Sequence, residues 1–385
     1  MTQIPNQRHL FDIPEGVAYF NTATMGPMTK ASVEAGQKGL ARKLHPWTIP
    51  DTEFFADTER LRPLLADLIG SDTDGIAFSP SVSYSLATAA RNLPLSKDQE
   101  ILLLEDQFPS NVYTWRQLAK ETGATIRTVG VSGGAHGNET LSDALLGAIG
   151  PQTGLVACAN VRWTDGAILD LAAIGKRCRE VGAALVLDLT QSCGALAFDV
   201  KDVQPDFVAV AAYKWLLAPY ATGFLYVAPQ HRNGTPLEQN WITREGSTNF
   251  ARLIDYTDNY GPGAQRFDMG ERSNFALLPA FESAIRTILD WGVGNIQETL
   301  GARNAALAEQ LAGIGLECPP AAERGAHYLC PRLPDSVPAD LTARLKEDGI
   351  FVSRRGDRLR ITQHLFTSDG DVEHFIARLG HHLAG

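Results

Sequence analysis

The feature that most constrains the fold is a series of short apolar runs alternating with helical patterns. GIAFSP (75–80), EILLLED (100–106), TIRTVGV (125–131), GLVACANV (154–161), AALVLDL (183–189), DFVAVAA (206–212) and TGFLYVA (222–228) read as strands, with helix-like segments at 83–92, 110–121, 139–149 and 170–181. Strands that are apolar without alternating are buried on both faces, and helices placed between them imply a largely parallel sheet covered on both sides. From about Asn274 the texture changes to a long helix (274–312), a strand near 326–333, a helix at 338–348, the extended pieces IFVSRR and RLRIT, and a terminal helix from Asp369. The expected architecture is therefore α/β: a three-layer αβα large domain spanning 16–280, with a smaller α+β domain built from 1–15 and 281–385. The boundary falls within the long helix.

With 385 residues, 44% hydrophobic and only 20% charged, the chain buries a substantial core. Its formal charge of -10 and the absence of any basic run leave no surface for nucleic acid, so a small molecule is the expected partner. The five cysteines (Cys158, Cys178, Cys193, Cys318, Cys330) show neither a CxxC nor a metal-ligand spacing and read as reduced thiols. No apolar run approaches membrane-spanning length, and the N-terminal MTQIPNQRHLFDIPEG does not read as a signal peptide. A cytoplasmic location without membrane contact is the expectation.

Lys214 is the one cation in FVAVAAYKWLLAPYATGFLYV (207–227). Burying an ammonium without a partner costs several kcal/mol, so such a lysine reaches solvent, pairs with a carboxylate, or loses its charge in a covalent bond. Parallel α/β sheets bind ligands at the carboxyl ends of their strands. ALVLDLTQS ends a strand on Asp188 and FVAVAAYK ends one on Tyr213 and Lys214, 26 residues further on, so neighbouring strands would bring a carboxylate and an amine to one edge. A structural Asp–Lys ion pair is the alternative. In FSPSVSYSLATAARNL, Ser79, Ser81 and Ser83 run from a strand into a helix, whose N-terminus favours an anion, although serine caps are commoner than phosphate sites. Phe108 closes another strand in EDQFPSNVY, either as core packing or as a stacking ring.

A lysine for a Schiff base, an aspartate for a pyridinium nitrogen, a helix start for a phosphate and a ring for stacking are together what pyridoxal phosphate (PLP) requires. From AYFNTATMGPM (18–28) to RLRITQHLFTSDGDVEHF (358–375), the sequence resembles the class V aminotransferase family of fold-type I PLP enzymes, which includes cysteine desulfurases, kynureninases and isopenicillin-N-epimerase-like proteins. The resemblance implies that Lys214 attaches the cofactor, that Asp188 partners its ring nitrogen and that Gln191 lies beside its phenolic oxygen. It implies a phosphate site from Val82 and Ser83 with Tyr213 and Trp241, stacking by Phe108 with Asn111 nearby, and a substrate site containing Asn21. It also aims Arg360 at the substrate α-carboxylate, with Arg354, Arg355 and Arg358 as competitors. A homodimer is implied as well.

The sequence departs from the family in three places. RFDMGERSN (266–274) carries Glu271 where desulfurases have a phosphate-binding threonine, so Glu271 is expected to point away or to pair with Arg272, leaving Ser273 or backbone amides as donors. VRWTDGAI (161–168) has Trp163 near the place of an asparagine in many relatives. The cysteine-bearing loop of desulfurases is absent, and Cys330 reads as a buried structural thiol. The expected activity is an aminotransferase acting on a small amino acid, with a PLP-dependent β-lyase or an epimerase as alternatives and a non-catalytic PLP-binding protein as the reading from another class. A nicotinamide site is disfavoured because no GxGxxG follows a strand.

Overall fold

A computed structural model of the chain describes residues 3–130 and 140–384. Val131, the last residue of the expected TIRTVGV strand, and Glu139, the first of the expected 139–149 helix, lie outside the described residues. In chain order, β1 (Ala18–Tyr19) is followed by α1 (Lys30–Ala41) and α2 (Glu53–Leu68). Then β2 (Ile76–Phe78) leads into α3 (Val82–Arg91), β3 (Glu100–Leu104) into α4 (Ser110–Thr122), β4 (Thr125–Val129) into α5 (Leu141–Ala148) and β5 (Thr153–Ala159) into α6 (Leu171–Val181). Next come β6 (Ala184–Asp188), the short α7 (Val200–Val203), β7 (Phe207–Ala211) and β8 (Gly223–Val227). The remainder is α8 (Leu277–Trp291), α9 (Val293–Gly313), α10 (Leu341–Glu347), β9 (Ile350–Phe351), β10 (Ser353–Arg355), β11 (Arg358–Arg360) and α11 (Asp369–Ala384). Among the described residues no helix is long and apolar enough to cross a membrane.

A seven-stranded sheet has the order β2-β8-β7-β6-β5-β3-β4. Only β8 runs against its neighbours; the other ladders are parallel. Because side chains alternate along a strand, each buried strand feeds two cores. Leu102, Leu104, Val208 and Val210 join one apolar cluster, and Ile101, Leu103, Phe207 and Ala209 join another. This is the physical reason the runs do not alternate in sequence: both faces are covered. A third cluster gathers Ala18 and Phe20 with Leu307, Leu341, Ile361 and Phe375. There β1 pairs in parallel with β9, and Asn21 bridges to Thr362, so the start of the chain lies against its C-terminal part.

The C-terminal part differs from expectation in two places. The helix expected over 274–312 is two helices, because Gly292 takes φ +75° between α8 and α9, a backbone that only glycine adopts without strain. The strand expected near 326–333 is reduced to isolated bridges, Leu329 with Ile361 and Arg332 with Arg358. The sequence reading also left α1 and α2 unassigned. α2 contains Pro63, a residue that discourages a helical reading, yet it buries Leu61 and Leu65 in the main core.

Candidate active site

Asp188 ends β6 opposite Ala209 of β7, and Lys214 stands three residues beyond the end of β7, so both reach the carboxyl edge of the sheet. Thr190 ties the two strand ends together: its N–H donates to Asp188 Oδ1 (3.0 Å) and its Oγ1 accepts from the Ala211 N–H (3.1 Å). After Lys214 the chain turns tightly, with the Leu217 N–H donating to the Lys214 carbonyl and the Ala218 N–H to the Ala212 carbonyl. Leu217 and Ala221 both take positive φ (55° and 63°), a strained backbone for residues with side chains. Gly26 closes the other side, its N–H donating to the Tyr213 carbonyl at 2.9 Å. A Cβ at Gly26 would stand 2.0 Å from the Lys214 carbonyl oxygen, so only glycine permits this approach.

Lys214 is 6% exposed, and its Nζ lies 5.4 Å from the centre of the Phe108 ring and 5.5 Å from that of Tyr213. Burial lowers its pKa to about 8; Arg360 and Arg355 push in the same direction and Asp188 opposes them. Burial also raises the pKa of Asp188, countered by the Thr190 hydrogen bonds and by Lys214. The two groups therefore act on each other through space, and the amine is easily deprotonated.

Between them lies a cavity of about 260 Å³ lined by Val82, Ser83, Phe108, Asp188, Gln191, Tyr213 and Lys214 among others. Val82 and Ser83 begin α3. Ser81 caps that helix by accepting from the Tyr84 N–H, while the first amides have no acceptor within the helix. The Gln191 side chain is held on both sides, with Nε2 donating to the Ala23 carbonyl (3.1 Å) and Oε1 accepting from Trp215 Nε1 (3.2 Å) and the Tyr328 hydroxyl (2.7 Å). Arg360, 1% exposed, donates through Nε to Ser353 Oγ (3.0 Å), through Nη1 to the Trp163 carbonyl (3.0 Å) and through Nη2 to Thr24 Oγ1 (2.5 Å). Asn21 accepts from the same Thr24 hydroxyl at 2.8 Å, which links it to Arg360 through one intermediary.

Of the expected site residues, Asn21, Asn111, Trp241 and Arg360 do not line this cavity; Arg360 reaches it only through its hydrogen bond to Trp163, which does. Asn111 is buried under α4, where its Oδ1 accepts from Trp115 Nε1 (2.7 Å). Trp241 packs edge-on against Phe54, Phe55 and Phe250. In the 266–274 segment, Glu271 is exposed, while Arg272 pairs with the buried Asp268 rather than with Glu271. The Ser273 hydroxyl is committed to the Phe54 carbonyl, which removes it as a free donor. Trp163 does line the cavity; its Nε1 donates to the Asp106 carbonyl (2.7 Å) and its ring meets Phe108 edge-on at 5.5 Å. The sequence reading missed Thr190 and Tyr220, which also line it. The Asp-x-Thr spacing after a strand was a usable signal for Thr190, because an Asp side chain commonly accepts from the N–H two residues on. Nothing local marks Tyr220.

These residues fit the cofactor the sequence implies. The buried amine of Lys214 has no carboxylate at ion-pair distance among the described residues, and the cavity offers a buried carboxylate, free helix-start amides and an aromatic face. They do not fit sulfur transfer through a protein thiol. Cys330 is fully buried with its pKa pushed up to about 12, and burial likewise raises the thiols of Cys158, Cys178, Cys193 and Cys318.

The profile of the family described as "Aminotransferase class-V" matches residues 45–367. Isopenicillin N epimerase of Streptomyces clavuligerus is 27% identical over 93% of this chain and 92% of its own length. An uncharacterized aminotransferase of Bacillus subtilis, YcbU, is 26% identical over 84% of this chain and 83% of its own. In fold, the chain is similar to a C-DES variant carrying glycine covalently linked to PLP, with a TM-score of 0.84, 22% identity, and coverage of 97% of this chain and 99% of that one. With most of its length matched by the family profile and its fold that of PLP enzymes, the chain belongs to the class V aminotransferase family of fold-type I, whose cofactor is pyridoxal 5′-phosphate.

Proposed function

We propose that the protein is an aminotransferase acting on a small amino acid, with Lys214 as the attachment lysine and the proton carrier. The observation that supports this over epimerisation is the content of the cavity: among the described residues lining it, Lys214 is the one amine, and its remaining titratable groups are Asp188, Tyr213 and Tyr220. Burial raises the pKa of Tyr213, which makes it a poor base. A single base that could move a proton on one face from the substrate Cα to the cofactor's carbon suits transamination, whereas epimerisation calls for a second base opposite the first.

When bound, PLP supplies an electron sink for the negative charge that develops at Cα. The chain's own residues set the rest. Asp188 would hold a negative charge for the ring nitrogen, Val82 and Ser83 would offer amides to the phosphate, and Phe108 would supply a stacking face that excludes water. Lys214 Nζ, with its lowered pKa, holds or releases a proton near neutral pH. Arg360 receives the α-carboxylate, for which its planar fork is suited. We also propose that the active form is a homodimer in the cytoplasm.

The test is to mix the PLP-loaded protein with a panel of amino acids, follow the visible spectrum, and assay keto acid, pyruvate, ammonia and racemised product. Keto acid that requires both an amino donor and an acceptor is expected. Racemised substrate, or pyruvate released together with ammonia, would replace this reading with epimerase or lyase.

A further inference from the structure

Beside the cavity lies a group of positive charges without a counter-ion. β10 and β11 form an antiparallel pair in which Ser353 faces Arg360 and Arg355 faces Arg358. Residues two apart on a strand share a face, so Ser353, Arg355, Arg358 and Arg360 all project from one side of this hairpin, while Leu359 enters the core from the other. The Arg360 guanidinium has three neutral acceptors, Ser353, Trp163 and Thr24, which take three of its five N–H groups and offset none of its charge. The Arg355 guanidinium lies 5.4 Å from the centre of the Trp163 ring, and that ring lines the cavity. Arg355 Nη1 donates to the Arg354 carbonyl, and its buried Nε has no acceptor.

The acids in the neighbourhood are engaged elsewhere. Asp165 is held by both Nε and Nη2 of Arg162, and Asp357 by Arg332. Asp188 lies across the cavity beside Lys214, and Arg358 shares the field of Asp165 and donates to the Cys330 carbonyl. Arg355 and Arg360 therefore have no carboxylate of their own among the described residues, and each feels the charge of the other. Two partly or fully buried guanidiniums on one face repel each other, and ligand anions on both would offset that cost.

We propose that the substrate is an amino acid with a second acidic group, its α-carboxylate held by Arg360 and its side-chain anion by Arg355 in front of Trp163. The assignment of Arg360 rests on the function proposed above. That of Arg355 rests on the hairpin register, the Trp163 contact and the missing counter-ion. Trp163 then has two tasks: its carbonyl orients Arg360, and its ring carries Arg355 to the cavity wall.

The test separates binding from chemistry by using ligands that lack an amine. The PLP-loaded protein is titrated calorimetrically with succinate, glutarate and adipate and, for comparison, with propionate, butyrate and valerate. These lengths are chosen because diagonal positions across an antiparallel pair stand roughly 7–8 Å apart. At least one dicarboxylate is expected to bind about 10- to 100-fold tighter than the monocarboxylate that lacks only its second carboxyl group, the range for a charge-assisted hydrogen-bonded pair. Arg355→Met should bring that ratio towards one. Arg355→Lys, which keeps the charge and loses the fork, should leave it in between, and it carries the test if the Met variant does not fold. Equal binding of the two series by the wild type, or an unchanged ratio in folded Arg355→Met, overturns the inference. Borohydride fixation on the same samples distinguishes the two failures. A cofactor fixed on Lys214 with no dicarboxylate preference sinks only the substrate class, whereas no fixation at Lys214 sinks the assignment of the lysine whatever the ligands do.

Discussion

Lys214 gives up its proton easily because burial outweighs the attraction of Asp188. In the ligand-free protein its reactivity towards an acylating reagent should rise with a midpoint near pH 8 rather than near the ordinary lysine value of 10.5. Asp188→Asn should move that midpoint down, and Arg355→Met should move it up, since the first removes an attraction for the ammonium and the second a repulsion. The sign for stability follows. Between about 8 and 10.5 the unfolded chain binds this proton more than the folded one does, so the contribution of Lys214 to stability rises with pH across that window, measurable by urea unfolding against Lys214→Met. Lys214→Ala should abolish the borohydride-fixed adduct and cost at least roughly 100- to 10,000-fold in turnover, the usual contribution of a positioned acid–base group. The thiols give the opposite expectation: with Cys330 raised to about 12 and the other four cysteines also raised, no protein persulfide should form on cysteine, and Cys330→Ala should keep the principal activity. Alanine produced together with a stoichiometric persulfide would contradict it.

At the scale of elements, the site depends on how strand ends are anchored. β2, at one edge of the sheet, is held by a buried ionic network. Arg62 on α2 donates to the Ile76 carbonyl (2.6 Å) and pairs with Asp268 (2.8 Å), Asp268 also pairs with Arg272, and the Phe78 N–H donates to Asp268 Oδ1 (2.7 Å). This network fixes the strand that feeds α3 and its N-terminal amides. Removing the buried carboxylate between two buried guanidiniums, which would leave them the half-exposed Glu59 at 3.8 and 3.9 Å, should be severe, so Asp268→Ala is expected to lose about 3–5 kcal/mol in denaturant unfolding. The pKa of Asp268 is lowered, so its contribution is present above the ordinary carboxylate range and is lost as pH falls through its depressed value; the gap between wild type and variant should close in acid. On the other side of the cavity, Gly26→Ala would force the Lys214 turn to shift. It should cost about 1–3 kcal/mol and weaken cofactor retention, read by thermal unfolding and by PLP absorbance after dialysis.

Across the whole molecule, the surroundings of Arg360, beside the cavity, are assembled from segments far apart in sequence. Thr24 comes from the N-terminal segment, Trp163 follows β5, and Arg360 belongs to the C-terminal hairpin; two hydrogen bonds on one guanidinium join them. The β1–β9 pairing is what brings the first of these to the last. Large apolar side chains remain exposed on this chain, including Leu40 in the last turn of α1, Leu44 and Trp47 after it, and Ile254 and Tyr256 before α8. Groups of such residues commonly mark an interface. Sedimentation of the PLP-loaded protein at assay concentration is expected to give the mass of two chains, and an active, cofactor-loaded monomer would refute the homodimer.

Much of this was legible in the sequence for a definite physical reason. A strand buried on both faces must be apolar throughout, so the sheet could be read from composition along the chain. A carboxylate and an amine that end such strands then have to emerge at the ligand-binding edge, which located Asp188 and Lys214. The helix start at Val82 and the ring of Phe108 follow from the same local rules. Tertiary structure decided what depends on distant partners. Only the packing shows that Gln191 is fixed by Trp215, Tyr328 and Ala23, that Arg272 answers Asp268 and not Glu271, and that Trp241 joins an aromatic cluster away from this cavity. The charge state of the Arg355–Arg360 face likewise depends on which acids fold next to it, and that cannot be seen along the chain, because Coulomb interactions follow distance in space rather than order in sequence.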